Sequence, residues 1–228
     1  MIRTLLSPFR RIYQWLGDLF VSYLELRLRQ PPTMPPVVFR EATLADSERC
    51  MELYMANEQG RFPKEVRSMY AKDLEREGQG RFVVQLEGRI VATCQASCFF
   101  SVYLGVLSYG LIDPMDQRRG IGTAMLLFRL VLISRKAPGN KQRISMVPVD
   151  ASVAFYRRFG FWGNVVMRNA EGIGQHTVSL VLTPQMAQRC EAVLGAAGIA
   201  VPPFEIPVHT HQELNAMIQA KKDVACGG

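Results

Sequence analysis

A seven-residue segment near the middle of the chain has the composition of an anion-binding turn. Residues 117–123 read Gln-Arg-Arg-Gly-Ile-Gly-Thr, and they stand between an apolar stretch and a run of good helix formers. The first amides of a helix have no partner within the helix, and the helix dipole adds partial positive charge at that end. Gly120 and Gly122 would allow the main chain to approach a bulky phosphate. Arg118 and Arg119 would add charge at the rim, so the segment predicts a phosphate site.

The spacing of the glycines distinguishes this segment from other phosphate-binding loops. Met125 stands where the G-x-G-x-x-G pattern needs a third glycine, and no lysine follows either glycine as G-x-x-x-x-G-K-[ST] requires. The segment instead resembles the Q/R-x-x-G-x-G/A signature of the GCN5-related N-acetyltransferases, the GNAT family. Gln117, Gly120 and Gly122 occupy the matching positions. The preceding strand, which ends at Asp113-Pro114, and the helix that follows match as well.

A second segment, residues 152–161, resembles the F/L-Y-x-x-x-G-F element of the same family. Tyr156 matches the tyrosine that commonly protonates the departing CoA thiolate, a step that needs a donor held against the sulfur. Phe155 precedes it, and the resemblance places Phe155 against the cofactor. The phenylalanines of the segment also fit an aromatic core cluster, with Gly160 ending a helix. Many family members carry an asparagine seven residues before the tyrosine, where this chain has Val149.

The segments around these motifs alternate between strand-like and helix-like patterns. Strands are predicted at residues 37–40, 82–86, 90–100, 107–112, 143–147, 165–168 and 177–182, and helices at residues 44–57, 63–77, 124–132 and 152–158. Gly105 is expected to separate the strand at 90–100 from the strand at 107–112. The order β-α-α-β-β-β-α-β-α-β-β is that of the acetyltransferase fold, so the resemblance covers residues 37–182. We expect an α/β (α+β) domain with the GNAT acyl-CoA N-acyltransferase fold, in which helices flank a mixed central sheet.

The resemblance assigns roles to the residues of both motifs. Tyr156 is the predicted catalytic acid, and acetyl-CoA is the predicted co-substrate. The amides of residues 117–123 would hold the pyrophosphate, and a backbone N–H at the end of the central strand would polarise the thioester carbonyl. The predicted cofactor contacts are Leu111, Ile112, Gln117, Arg118, Arg119, Gly120, Ile121, Gly122, Thr123 and Phe155. No metal is predicted, since His209-Thr210-His211 has no suitably spaced cysteine or carboxylate.

A general base for the amine is less evident in the sequence. The polar candidates near the expected acceptor cleft are Tyr109, Asp113, Glu58 and His176. Relay of the proton through water, as in many family members, is the alternative. The cleft would be bounded by the loops at residues 58–62 and 169–175, whose sequences do not identify the acceptor.

Residues 1–30 predict an amphipathic helix ahead of the domain. Apolar residues recur three and four apart from Ile2 to Leu26, and five arginines stand against two carboxylates. Charges interrupt every stretch long enough to span a bilayer, and the striping is wrong for a signal peptide. Three roles stay open: packing on its own domain, pairing in a homo-oligomer or with a protein partner, or lying on a membrane surface. The four prolines of residues 31–36 predict an extended linker.

The composition of the chain indicates its redox compartment and the charge of its partners. Five cysteines, an odd number without a C-x-x-C pair, favour reduced thiols in a cytoplasm-like compartment. The formal charge of +7 suits phosphate-bearing or acidic partners, although such a charge is more often a solvated basic surface. Residues 183–228 predict a helical extension with helices at 184–194 and 211–222, which could cover an acceptor site or an oligomer face.

These observations predict an acetyl-CoA-dependent N-acetyltransferase in which a primary amine attacks the thioester directly. The acceptor could be a small amine, a protein, or an aminoacylated or modified nucleic acid. The first alternative is a GNAT-like binding or structural module without catalysis, docked to a larger assembly or a membrane by its N-terminal helix. The second is a basic modifier of nucleic acid. The predicted location is cytoplasmic, either free or peripheral to a membrane or an assembly.

Overall fold

The computed structural model describes residues 28, 33–58, 62, 64–78, 80–99, 103–168, 174–210 and 212–213. Within these residues the strands are β1 (Val38–Glu41), β2 (Arg81–Leu86), β3 (Arg89–Phe99), β4 (Leu104–Ile112), β5 (Gln142–Met146), β6 (Trp162–Arg168), β7 (Gly174–Leu182) and β8 (Val208–His209). The helices are α1 (Ser47–Glu58), α2 (Lys64–Leu74), α3 (Ile121–Lys136), α4 (Asp150–Arg157) and α5 (Pro184–Ala196). Short 3₁₀ turns lie at Leu44–Asp46 and Pro114–Asp116.

One mixed sheet runs through the domain in the strand order β1-β2-β3-β4-β5-β7-β6, with β8 beside β3. Neighbouring strands are antiparallel except for β4 with β5 and β8 with β3. The parallel β4–β5 pair needs a crossover, which α3 supplies. Helices α3 and α5 cover one face of the sheet, and α1 and α2 cover the other. The predicted α/β architecture, a mixed sheet flanked by helices, is confirmed.

Helix α3 is apolar on nearly its whole circumference because it is enclosed. Twelve of its residues, between Ile121 and Ile133, are buried between the sheet and α5. Phe128 stacks on Phe39 of β1 with ring centroids 3.9 Å apart, and it meets Phe82 of β2 edge-on. A helix that is hydrophobic all round belongs inside a core. This packing fixes the position of the N terminus of α3.

Strands β4 and β5 separate part-way along β4. They pair only where residues 104–106 meet residues 143–145. On its other side β4 contains a bulge between Ser108 and Leu111, where three steps along β4 match two along β3. Tyr109 lies in this bulge with a φ of 45°. An extra residue bends its strand and increases its twist, so β4 leaves a gap toward β5 from residue 107 onward.

Strand β4 begins at Leu104, earlier than predicted, and it includes Gly105. A Cβ at Gly105 would lie 2.6 Å from the side chain of Ile133 and 2.9 Å from that of Ile144. The glycine therefore reflects close packing of β4 on α3 and not a turn before the strand, which is why its turn-like appearance in the sequence misplaced the start of the strand.

The segments on either side of residues 37–182 also reach the core. Leu28 and Met34 are buried in the main core cluster, and Leu28 lies by Ala192 and Val193 of α5. Phe204 contacts the rings of Phe82 and Phe128. Apart from Leu28, the predicted helix of residues 1–30 lies outside the described residues. The predicted helix of residues 211–222 does so too, except for residues 212–213.

Candidate functional site

The turn ahead of α3 depends on left-handed backbone conformations. Gly120 is the N-cap of α3 with φ 90° and ψ −7°, and Arg118 has a φ of 63°. A Cβ at Gly120 would lie 2.2 Å from the carbonyl oxygen of Thr33 and 3.1 Å from the Cα of Met34. Glycine is required here because of both the positive φ and the close approach of the linker. A bound phosphate would therefore meet the amides of the turn and not the covered Cα of Gly120.

The amides of this turn are available to a ligand. No described residue accepts a hydrogen bond from the backbone N–H of Arg119, Gly120, Ile121 or Gly122. The amide of Thr123, predicted as a further contact, donates instead to the carbonyl of Gly120 at 3.0 Å. Four unpaired N–H groups at the N terminus of a helix have a geometry and a dipole that suit an anion.

The two arginines of the turn differ in their partners: within the described residues Arg119 is ion-paired, and Arg118 is not. Asp116 is buried and binds Arg119 at 2.5 Å and Arg89 at 2.7 Å. This pairing holds the turn against the start of β3, and it commits part of the Arg119 charge. Arg118 is exposed, and no described carboxylate pairs with it. Arg118 is therefore the freer of the two predicted supplementary charges.

The side chain of Gln117 hydrogen-bonds within the protein. Its Nε2 donates to the Asn57 side chain at 3.3 Å and to the carbonyl of Ile112 at 3.4 Å. Asn57, at the end of α1, donates to the same carbonyl at 2.9 Å. These bonds tie α1 to the end of β4. Asn57 was missed from the sequence because nothing in its local pattern indicates a contact 55 residues away.

Helix α4 docks against the turn through its aromatic residues. A Cβ at Gly122 would lie 3.4 Å from Ile112 and 3.6 Å from the ring of Phe155, which is ordinary contact distance. Phe155 also packs edge-on against Tyr156 and contacts Phe159. Phe155 thus lies beside the glycine turn, and it also packs against the core.

Tyr156 points to the bulge of β4. Its ring is buried, and its hydroxyl lies 3.6 Å from the position that a Cβ on Gly110 would occupy. The guanidinium of Arg129, from the buried face of α3, lies 3.4 Å from the same position. A phenol and a cation therefore converge at the point where β4 has left β5. Arg129 was missed from the sequence because a lone arginine in an apolar helix carries no motif.

The opposite face of β4 carries a cluster of aromatic rings. Tyr70 of α2 lies 5.2 Å from Tyr54 of α1 and 4.5 Å from Tyr109, and Phe62 lies 5.4 Å from Tyr54, between ring centroids. The hydroxyl of Tyr54 is buried without a partner among the described residues. Burial raises the pKa of Tyr54 to about 12. Leu111, a predicted cofactor contact, packs into this cluster.

Two of the four candidate bases are poorly suited to accept a proton. The Met115 amide and then Arg49, at 2.6 Å, hydrogen-bond to Asp113 and lower its pKa. Burial and the adjacent Asp73 carboxylate raise the pKa of Tyr109, so its phenol stays protonated. An ion-paired carboxylate and a protonated phenol are both weak bases.

The other two candidates lie on opposite faces of the sheet. His176 contacts the Asp150 carboxylate of α4, on the same face of β7 as the core residue Val178. Glu58 lies at the end of α1, on the face of the aromatic rings, with Arg67 at 3.9 Å. Residues 59–61 and 169–173 of the predicted acceptor loops lie outside the described residues.

Other features of the described residues bear on the predicted site only indirectly. Cys50, Cys94, Cys98 and Cys190 are unpaired and buried. No cluster of metal-binding side chains occurs in the part of the chain that the structure describes. None of the helices in the described ranges is long and apolar enough to cross a bilayer.

Comparisons with known proteins agree with this arrangement. A family model described as the acetyltransferase (GNAT) family matches residues 47–161, half of the chain. No curated protein matches the sequence. The crystal structure of ribosomal-protein-S18-alanine N-acetyltransferase from Escherichia coli is similar with a TM-score of 0.52 and 16% identity, covering 64% of this chain and 94% of that one. Ard1 from Thermoplasma volcanium is similar with a TM-score of 0.53 and 14% identity, covering 64% and 98%.

At such identities the likeness to solved structures shows a shared fold and no more. The family model is a separate observation, and it includes the glycine turn, the bulged strand and Tyr156. Sequence signature, strand order and family model agree: the chain belongs to the GNAT family of acetyltransferases.

Proposed function

We propose that this chain is an acetyl-CoA-dependent N-acetyltransferase, in which a primary amine attacks the thioester directly. The observation that carries the proposal is the convergence of the Tyr156 hydroxyl on Gly110, where β4 no longer pairs with β5. A gap between parallel strands with a buried acid at its wall suits a thioester. Attack by the amine forms the C–N bond, and Tyr156 protonates the sulfur as the C–S bond breaks.

The turn before α3 suits the diphosphate of CoA. The free amides of Arg119 to Gly122 and the exposed Arg118 offer donors and charge without rearrangement. The contact between Phe155 and Gly122 places α4 beside this turn. A ligand held there would extend along β4 toward Tyr156. Unpaired N–H groups of β4 in the gap are the proposed donors to the thioester carbonyl.

The acceptor would enter from the face of α1 and α2. Tyr109 and Leu111 turn toward that face at the end of β4, and the rings of Tyr54 and Tyr70 line it. Glu58 is the proposed base, since it is the candidate carboxylate on this face whose ion pair is long, at 3.9 Å. The acceptor is a primary amine of unassigned size, free or carried on a protein or nucleic acid.

The experiment measures cofactor binding and turnover separately. Thermal shift and calorimetry with CoA and acetyl-CoA test the site, and thiol release over a panel of amines tests transfer. We expect stabilisation by both cofactors and amine-dependent thiol release. Binding without release for any amine would favour a non-catalytic module, and no binding at all would refute the proposal.

The N-terminal segment is proposed to act outside the reaction. Residues 1–30 would direct the enzyme to a homo-oligomer, a protein partner or a membrane surface. Leu28 in the core and Thr33 against Gly120 support a fixed exit point for that segment beside the cofactor turn. Sedimentation and vesicle binding of the full chain, compared with a variant lacking residues 1–27, distinguish these roles.

A further inference from the structure

Arg129 is a buried cation that the fold alone does not explain. Its side chain is 1% exposed, and it is among the largest fully buried side chains in the described part of the chain. It lies on α3 between Phe128 and Leu130, whose exposure is zero. Burying an ionised group is unfavourable unless a counter-charge and hydrogen bonds compensate for lost hydration.

The contacts of Arg129 within the protein use only part of its donor capacity. Nε donates to the carbonyl of Met125 at 3.1 Å, and Nη1 donates to the carbonyl of Ser108 at 3.4 Å. None of the ion pairs among the described residues includes Arg129. A guanidinium has five N–H groups, so Nη2 and its charge are left for another group.

Arg81, the other buried arginine of the described residues, provides a comparison. Its Nη atoms donate to the carbonyls of Asp73 and Arg76 at 2.6 and 2.9 Å, at the C-terminal end of α2. The carbonyl of Asp73, in the last turn of α2, also accepts from the Arg76 amide at 3.4 Å, so Arg81 has a structural role as a cap of this helix end. The Met125 carbonyl, in contrast, lies in the middle of α3. Capping does not account for Arg129.

The unpaired side of the guanidinium faces the gap beside β4. Nη2 lies 3.4 Å and the Tyr156 hydroxyl 3.6 Å from the position of a Cβ on Gly110. Both distances are ordinary contacts, so the protein itself would tolerate an alanine at position 110. Glycine here leaves space between a cation and a phenol. An anionic atom in that space would satisfy both.

We propose that Arg129 stabilises the thiolate that departs from the acyl donor. The inference rests on the proposed function and adds a second group to the leaving-group site. As the amine nitrogen bonds to the carbonyl carbon, the electron pair of the C–S bond passes to sulfur. Arg129 offsets that charge, and the Tyr156 phenol donates its proton to the sulfur and regains one from water. The amine proton leaves through Glu58 or water.

Two titratable groups on neighbouring elements face Arg129. Tyr156 reaches it from α4, and Cys94 reaches it from β3. Burial raises the pKa of Cys94 to about 11, although Arg129 opposes the shift. Cys94 is therefore a neutral thiol at physiological pH and does not serve as the missing counter-ion.

The test compares the binding of CoA with that of desulfo-CoA from pH 6 to pH 9 by calorimetry on the full chain. An opposite charge within about 4–6 Å lowers the pKa of an ionisable group by roughly 1–3 units. CoA should therefore gain about tenfold or more in affinity over desulfo-CoA as pH rises. Because the two ligands differ only in the thiol, the ratio of their affinities removes the pH effects that are common to both.

Three variants assign the effect to the charge of Arg129. Arg129→Gln keeps a donor for Ser108 but removes the charge, and it should flatten the pH-dependent ratio while desulfo-CoA still binds. Arg129→Lys keeps the charge and should retain most of the ratio. Arg81→Gln is the matched control, with lower stability and the wild-type ratio.

Each contrary result has one meaning. A wild-type ratio in Arg129→Gln, or a flat ratio in a wild-type protein that binds CoA, overturns the inference and leaves the proposed function standing. Tighter binding of succinyl-CoA than acetyl-CoA that is lost in Arg129→Gln would show that Arg129 binds an acyl carboxylate, which also overturns it. If neither CoA nor desulfo-CoA binds the wild-type protein, the proposed function itself fails.

Discussion

Replacement of Gly120 by alanine tests whether the glycine turn is built against the linker. The new Cβ would lie 2.2 Å from the Thr33 carbonyl oxygen, and the residue would keep a φ near 90°. A left-handed conformation costs a non-glycine residue about 1–2 kcal/mol. Forcing backbone atoms apart costs about a further 1–3 kcal/mol. We therefore expect Gly120→Ala to lower the free energy of unfolding by about 2–5 kcal/mol.

Gly139 provides a matched control within the same chain. Its φ is 80°, and a Cβ there would have no atom within 4 Å. Gly139→Ala should therefore cost only the conformational part, about 1–2 kcal/mol. Urea unfolding followed by circular dichroism measures both variants. The difference between them isolates the contact between Gly120 and Thr33.

Gly122→Ala completes the comparison at the second glycine of the signature. Its Cβ would meet Ile112 and Phe155 at 3.4 Å and beyond, so the fold should tolerate it. We expect a stability change below about 1 kcal/mol, with weaker CoA binding if the ligand approaches Gly122 closely. Equal unfolding energies for Gly120→Ala and Gly139→Ala would refute the packing argument.

Three further predictions concern catalysis and acid stability. Tyr156→Phe should lower kcat about 100-fold with little change in CoA affinity; an unchanged kcat would remove Tyr156 from the mechanism. Glu58→Gln should lower kcat/KM about 100-fold at neutral pH, whereas a wild-type value would favour relay through water. Hydrogen bonds from Arg40 lower the pKa of Asp46 to about 2, so Asp46 stabilises the fold above about pH 4 and loses this effect as pH falls toward 2. Because Arg40 is partly exposed, Asp46→Asn should cost only about 1–2 kcal/mol at pH 7 and almost nothing near pH 2, as unfolding at both pH values will show.

The element order and the motif positions could be predicted because their signals are local. The glycines of residues 117–123, Asp113-Pro114 and the Tyr156 segment each have a short-range pattern that specifies a turn or a helix end. Gly105 had the same local appearance and a different cause, since its small size is required by Ile133 and Ile144. A sequence pattern does not separate a glycine needed for a turn from one needed for close packing.

The parts of the site that sequence reasoning missed depend on contacts between distant segments. Asn57 reaches the carbonyl of Ile112, and Thr33 covers Gly120. The bulge at Tyr109 depends on how β4 pairs with β3, and the sequence of β4 alone does not indicate it. Arg129 can be recognised as a candidate site residue only because the fold places it beside Gly110 and Tyr156. These contacts arise from tertiary packing, and the hydrophobic periodicity of a sequence indicates only local structure.

The bulge in β4 bears on the side of the sheet from which each substrate would approach. Before it, Leu107 belongs to the core beside α3, and after it Tyr109 and Leu111 belong to the cluster beside α1 and α2. One extra residue reverses the side of the sheet to which alternate residues point. Strand β4 thus contacts both cores, and Gly110 is the residue without a side chain in the part of β4 that has left β5. A cofactor held on the α3 side and an amine on the α1 side would meet across this one position, which would explain why the Tyr156 phenol and the buried Arg129 lie there.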